Sequence, residues 1–223
     1  MNRPVFLINF KNYREILGEG AMRLAADAEL ASEGLDLELI LAPPVPTLSA
    51  VAAASRLRVF GQGVGNQSEG KSTGAIIPEA LKASGCAGSI INHSELRLPH
   101  ETIRALLPRM KGLRLSSCVC GEDAGEIASL AAFDPEYLAV EPPELIGSGI
   151  AVSQARPELL RETVASARRA GYHGKLLCGA GIVTGEDARA AMRLGMDGVL
   201  VASSVVKAND WGAKVRELAA ALL

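Results

Sequence analysis

The stretch Lys175-Leu-Leu-Cys-Gly-Ala-Gly-Ile-Val-Thr-Gly-Glu-Asp-Ala-Arg-Ala-Ala-Met-Arg-Leu-Gly-Met-Asp-Gly-Val-Leu-Val-Ala-Ser203 holds one full turn of the pattern that organises this chain. A short apolar run at 175–178 meets a glycine turn, an alanine-rich segment of helical period at 185–194, and a second apolar run at 198–201. Short apolar runs bounded by turn residues read as buried strands, and the 3.6-periodic segments between them as covering helices. Working outward, the same unit recurs. Strands are predicted at 5–9, 38–42, 58–61, 89–92, 114–119, 137–140, 175–178 and 198–201. Helices are predicted at 20–32, 48–54, 78–84, 101–110, 124–131, 157–170, 185–194 and 214–222. Unbroken alternation implies an α/β fold with a parallel sheet, and eight repeats fit a closed (β/α)8 barrel over residues 1–223 as one domain. A doubly wound open sheet is the alternative, but no Gly-x-Gly-x-x-Gly fingerprint follows the first run.

Composition narrows the function. The chain has 223 residues, of which 48% are hydrophobic, enough to bury a sizeable core. A net charge of −2 and the lack of a basic stripe interleaved with aromatics argue against nucleic acid and anionic membranes as partners, leaving a small molecule. No signal-peptide core opens the sequence and no apolar run approaches a membrane span, so a cytoplasmic location is expected. The four cysteines have no Cys-x-x-Cys spacing and there are only three histidines, so buried free thiols are expected rather than a zinc site.

In a barrel the residues just after each strand gather at one mouth. Read in order, those positions are Asn9-Phe10-Lys11, His93-Ser94-Glu95, Glu141, Gly179-Ala180-Gly181 and Ala202-Ser203. A lysine after an apolar strand is most often a snorkelling surface residue. Beside two small-residue turns that precede helices, its ammonium could attract an anionic substrate, while backbone N–H groups of the turns cradle a phosphate. Asn9 could hydrogen-bond both the substrate and the backbone carrying the lysine. A lone histidine is usually structural, but opposite Glu141 a neutral His93 could donate to a carbonyl while the carboxylate removes a neighbouring proton. Glu95 reads as a supporting partner of Lys11. His100 and His173 are expected in turns and receive no role.

Tyr137-Leu-Ala-Val-Glu-Pro-Pro-Glu-Leu-Ile-Gly-Ser-Gly149 mounts Glu141 at the head of a loop that is stiff at Pro142-Pro143 and free at Gly147 and Gly149. Such a loop can close over a substrate and expel water.

These motifs, in this order from Val5 to Lys207, resemble the triosephosphate isomerase family, in particular its short archaeal form. Asn9-Phe10-Lys11 resembles its first-strand Asn-x-Lys, Asn92-His93-Ser94-Glu95-Leu96-Arg97 its Gly-His-Ser-Glu-Arg-Arg, Glu141-Pro142 the start of its lid, and Gly179-Ala180-Gly181 with Ala202-Ser203 its phosphate turns. The resemblance implies interconversion of glyceraldehyde 3-phosphate and dihydroxyacetone phosphate, with Lys11, His93 and Glu141 catalytic and no metal or organic cofactor. It further implies that Asn9, Phe10, Lys11, Ile146, Gly147, Gly181, Ala202 and Ser203 bind the substrate. The segment 67–74 resembles the family's third loop, which reaches a neighbouring subunit, so a homo-oligomer, dimer or tetramer, is expected. Asn92, Leu96 and Pro143-Glu144-Leu145 depart from the commoner pattern. A different phosphate-binding barrel enzyme and a noncatalytic sugar-phosphate sensor are the rival readings.

Overall fold

All eight apolar runs are strands, and they close on themselves in sequence order. The computed structural model describes residues 3–145 and 151–223. The strands are β1 (Val5–Asn9), β2 (Glu38–Ala42), β3 (Arg58–Gly61), β4 (Gly88–Ile91), β5 (Ser116–Gly121), β6 (Tyr137–Val140), β7 (Lys175–Cys178) and β8 (Gly198–Val201). Every neighbouring pair is parallel, and β8 returns to β1 with Val5 opposite Gly198. Strands buried on both faces need apolar residues throughout, which is why these runs are continuous rather than alternating. Alternate residues still face different layers. Val5, Leu7, Ile40, Phe60, Cys118 and Leu177 fill the barrel interior. Phe6, Ile8, Leu39, Leu41, Val119 and Leu138 pack outward against the helices.

The covering helices are α1 (Gly20–Ser32), α2 (Leu48–Ala54), α3 (Pro78–Ala83), α4 (His100–Gly112), α5 (Ala124–Ala131), α6 (Val152–Ala155), α7 (Pro157–Arg169), α8 (Gly185–Arg193), α9 (Ser203–Val206) and α10 (Trp211–Ala221). Local chemistry sets their starts. Asp123 accepts the Glu126 N–H at 2.8 Å ahead of α5, Thr184 and Asp187 form a reciprocal capping box on α8, and Pro157 occupies the first turn of α7.

Several boundaries differ from the sequence reading. The fourth strand ends at Ile91 because Asn92 turns into the left-handed region at φ +60°, and the fifth begins at Ser116 because Arg114 turns likewise at φ +57°. His100 opens α4 instead of lying in a turn, and α6 and α9 were not expected. All four cysteines are free and buried. No helix among the described residues is long and apolar enough to cross a membrane.

One end of the barrel is plugged. Glu38, Arg58, Ser116, Tyr137 and Lys175 all begin strands, and there Arg58 donates to Tyr137 at 2.6 Å, to Ser116 and to Glu38. Tyr137 in turn donates to Glu38 at 2.7 Å, and Lys175 approaches the same carboxylate at 3.5 Å. A closed polar floor leaves the opposite mouth as the place for chemistry.

Candidate active site

At the carboxyl ends of the strands lies a cavity of about 200 Å³ lined by Lys11, His93, Glu95, Glu141, Gly179, Ala180, Gly181, Ala202 and Ser203, with Tyr13, Ile182, Val183, Leu200, Val201 and Ser204. Five strand ends, those of β1, β4, β6, β7 and β8, and their following turns therefore converge on one space that holds Lys11, His93 and Glu141.

Lys11 follows β1 in an unusual backbone conformation, φ +50°. Three contacts hold it there. Asn9 Oδ1 accepts the Lys11 N–H at 3.0 Å, Gln62 Nε2 donates to the Lys11 carbonyl at 3.1 Å, and Lys11 Nζ donates to Glu95 Oε1 at 2.8 Å. The Lys11 side chain is only 14% exposed, so it does not snorkel into solvent as most lysines do. A non-glycine residue held in that region is strained, and such strain persists where surrounding contacts over-determine it. Asn9 is buried and aimed at the lysine backbone. The Phe10 side chain, by contrast, is fully buried in the layer between barrel and helices and does not line the cavity.

His93 and Glu141 face each other, Nε2 to Oε1, at 3.6 Å. The Glu95 backbone N–H donates to His93 Nδ1 at 3.1 Å, so Nδ1 is an acceptor and the ring proton of a neutral imidazole sits on Nε2, toward Glu141. Burial, followed by the Lys11 charge, pulls the imidazole pKa down to about 4, so the neutral form is the one present at neutral pH. Burial pushes the Glu141 carboxyl the other way, up to about 7, against the opposing pull of Cys120, Lys11 and the Ser94 N–H. Glu141 Oε2 is buried and has no hydrogen-bond partner among the described residues. Two titratable neighbours whose surroundings drive their pKa values apart have the chemistry to serve as an acid–base pair at neutral pH.

Gly179 explains how the carboxylate fits. A Cβ at this position would sit 2.5 Å from Glu141 Cγ, closer than real contacts allow. Gly179→Ala is therefore expected to push Glu141 out of register and lower kcat by about tenfold or more, since misplacement of order 1 Å costs up to ~10²-fold. A variant with wild-type kcat would show that the carboxylate tolerates displacement. Gly181, at φ +72°, turns the chain into the loop before α8.

Ile146 and Gly147 lie outside the described residues. The preceding Pro143–Leu145 form one short 3-10 turn, with exposed Glu144 paired to Arg156 at 2.5 Å. Tyr13, Gln62, Ile182 and Val183 escaped the sequence reading. None belongs to a motif with its own chemical signature, and Gln62 reaches Lys11 only because β3 lies two strands from β1 in the closed barrel.

Residues 4–218 match the family model for triosephosphate isomerase. The chain is similar to the triosephosphate isomerase of Cenarchaeum symbiosum (strain A), 46% identical over 219 residues that cover 98% of each chain. It is also similar to that of Caldivirga maquilingensis, 43% identical over all of this chain and 99% of the other. The protein of the same name from Methanocaldococcus jannaschii is 41% identical, with 96% of this chain and 98% of the other covered. A match of that extent, over a closed eight-strand barrel whose mouth holds a lysine, a neutral imidazole and a buried carboxylate, places this chain in the triosephosphate isomerase family.

Proposed function

We infer that the chain interconverts D-glyceraldehyde 3-phosphate and dihydroxyacetone phosphate by proton transfer through an enediolate. The observation that carries this reading is the 3.6 Å pairing of His93 Nε2 with Glu141 Oε1 inside a cavity that also contains Lys11. A glutamate base beside a neutral imidazole is the known scheme of this family, so the division of labour is taken from it and fitted to the geometry here. Glu141, with an unsatisfied oxygen, takes the proton from one substrate carbon and returns it to the next. His93 donates from Nε2 to the carbonyl oxygen as charge develops there. Lys11 offsets the charge of the enediolate and the phosphate. The turns Gly179-Ala180-Gly181 and Ala202-Ser203 hold the phosphate through backbone N–H groups. Residues 1–223 act as one domain, in the cytoplasm, and the loop begun by Pro142 serves as the lid. Conversion of glyceraldehyde 3-phosphate, followed by coupled oxidation of a hydride donor as dihydroxyacetone phosphate forms, tests this directly. Tight binding of 2-phosphoglycolate without any conversion would instead support a sugar-phosphate sensor.

The pKa values set the acid limb. Glu141 must be ionised to act as a base, so kcat/KM should fall as pH drops through about 7. His93 remains neutral until pH approaches about 4 and adds no limb above that. A pH–rate profile with its limb near an ordinary carboxylate value would contradict the burial argument.

We also propose self-association. Residues 67–74 are largely exposed, and a depression of about 510 Å³ beside the active site is lined by Asn9, Lys11, Gln62, Leu96 and Val45, the last two more than half or half exposed. A second copy that seats its loop there offsets the entropy of ordering that segment. Light scattering should find a dimer or larger, and an active monomer would contradict the proposal.

A further inference from the structure

We propose that Asn92 is a positioning residue for this reaction, fixing the separation of the His93 imidazole from the Glu141 carboxylate by stitching the His93 loop to the end of β5. The proposal rests on the function inferred above. Asn92 immediately precedes His93 and is 1% exposed. Its Nδ2 donates to the Cys120 carbonyl at 2.9 Å and to Glu126 Oε1 at 3.4 Å, and its Oδ1 accepts the Leu98 N–H at 2.8 Å. Its own carbonyl accepts from Arg97 at 3.4 Å. One side-chain amide thus ties the start of the loop, the far side of the loop and the neighbouring strand.

The route from there to the base is short. Cys120 is followed by Gly121, whose carbonyl accepts the Glu141 N–H at 2.8 Å. His93 and Glu141 are therefore joined through one residue, one side-chain hydrogen bond, one further residue and one ladder hydrogen bond. The anchor at the other side of the amide is also fixed. Glu126 Oε2 accepts the Glu122 N–H at 2.8 Å, while its Oε1 meets Arg97 and lies 3.3 Å from His100. Buried networks in which each member has its partner are rigid, and a 3.6 Å separation between acid and base depends on such rigidity. The backbone alone does not demand asparagine. Glycine accepts φ +60° with no strain, so what asparagine adds is its amide.

The test uses Asn92→Gly, which keeps the backbone and removes the amide, and Asn92→Asp, which tolerates the same φ and keeps the Leu98 acceptor but faces the Cys120 carbonyl with an oxygen. Each is measured on the full chain for kcat and KM with glyceraldehyde 3-phosphate, alone and combined with His93→Gln, and each is melted by circular dichroism. The expected result is a fall in kcat of about 10- to 100-fold with KM within about threefold. In the His93→Gln background the further loss should be no more than about twofold, because the amide acts through the imidazole. Either folded single variant with kcat within about twofold of wild type would overturn the proposal. So would an equal loss with and without His93, which marks general loosening, or failure of both variants to fold, which marks a role in stability alone. A wild-type chain that does not convert the substrate would remove the functional reading and this proposal together, whereas an active wild type with unaffected Asn92 variants removes only the proposal.

Discussion

Glu141→Gln is expected to lower kcat by about 10⁴-fold, the upper end of what a positioned general base supplies, because the amide cannot take a proton from carbon. Glu141→Asp keeps the charge but withdraws it by one methylene, and about 10²- to 10³-fold should be lost. KM should stay within about tenfold in both, since the proposed phosphate contacts are backbone groups of other turns. Glu144, the other carboxylate of this segment, is no substitute: it is exposed, paired with Arg156 and held below the usual carboxylate range by its own backbone N–H and by that arginine. The glutamine variant should also be the more stable protein at neutral pH. Glu141 has a raised folded-state pKa, so its contribution to stability is fully present below the ordinary value of 4.5 and is lost as pH rises through about 7. Relative to wild type, Glu141→Gln should gain stability across that window by up to about 3 kcal/mol and hold the gain above it. Melting curves at several pH values read this out. A variant that is inactive and also less stable at pH 8 would mean that the buried charge is better satisfied than its surroundings imply.

Lys11→Met is expected to lower kcat/KM by about 10³-fold, the loss typical of removing one preorganised charge or donor from a developing oxyanion. Both KM and kcat should suffer, because the proposed role of the ammonium is to offset the charge of the bound phosphate as well as of the enediolate. Loss of fold will not be the reason. The partner left behind, Glu95, is 63% exposed, and an ion pair with so exposed a partner is worth about 0–1 kcal/mol to stability. Steady-state kinetics with a melting curve alongside separate the two effects. A folded Lys11→Met chain within about tenfold of wild-type kcat/KM would take the lysine out of the chemistry.

The barrel was legible because its physics is repetitive. Residues 5–8, 39–42 and 176–178 are continuous apolar runs, which a strand buried on both faces requires, and each is followed by a segment of helical period. Counting the repeats then sufficed to predict closure. Boundaries failed where a single residue overrides its neighbours. Asn92 and Arg114 adopt positive φ, and no pattern of apolar residues announces that. Helices α6 and α9 contain four residues each, too few to display a period. The candidate site was legible to the extent that its groups follow strands directly, as Lys11, His93 and Glu141 do. What the sequence hid was the packing that tunes them. Gly179 reads as part of a phosphate-binding turn, and nothing in the sequence shows that its missing side chain also makes room for the Glu141 carboxylate. Gln62 and Asn92 are single amides whose partners lie 51 and 28 residues away in sequence. Phe10 shows the converse, a residue between two site residues whose side chain points into the core.

Deuterium labelling tests the central claim most directly. Glyceraldehyde 3-phosphate is converted in ²H₂O and the dihydroxyacetone phosphate formed is examined by NMR. A carboxylate that carries the proton between carbons can exchange it with solvent before returning it, so wild-type product should contain deuterium at the carbon that receives the proton. Glu141→Gln should yield neither labelled nor unlabelled product at a comparable rate. Product from Glu141→Gln, labelled or unlabelled, at the wild-type rate would contradict proton transfer by Glu141.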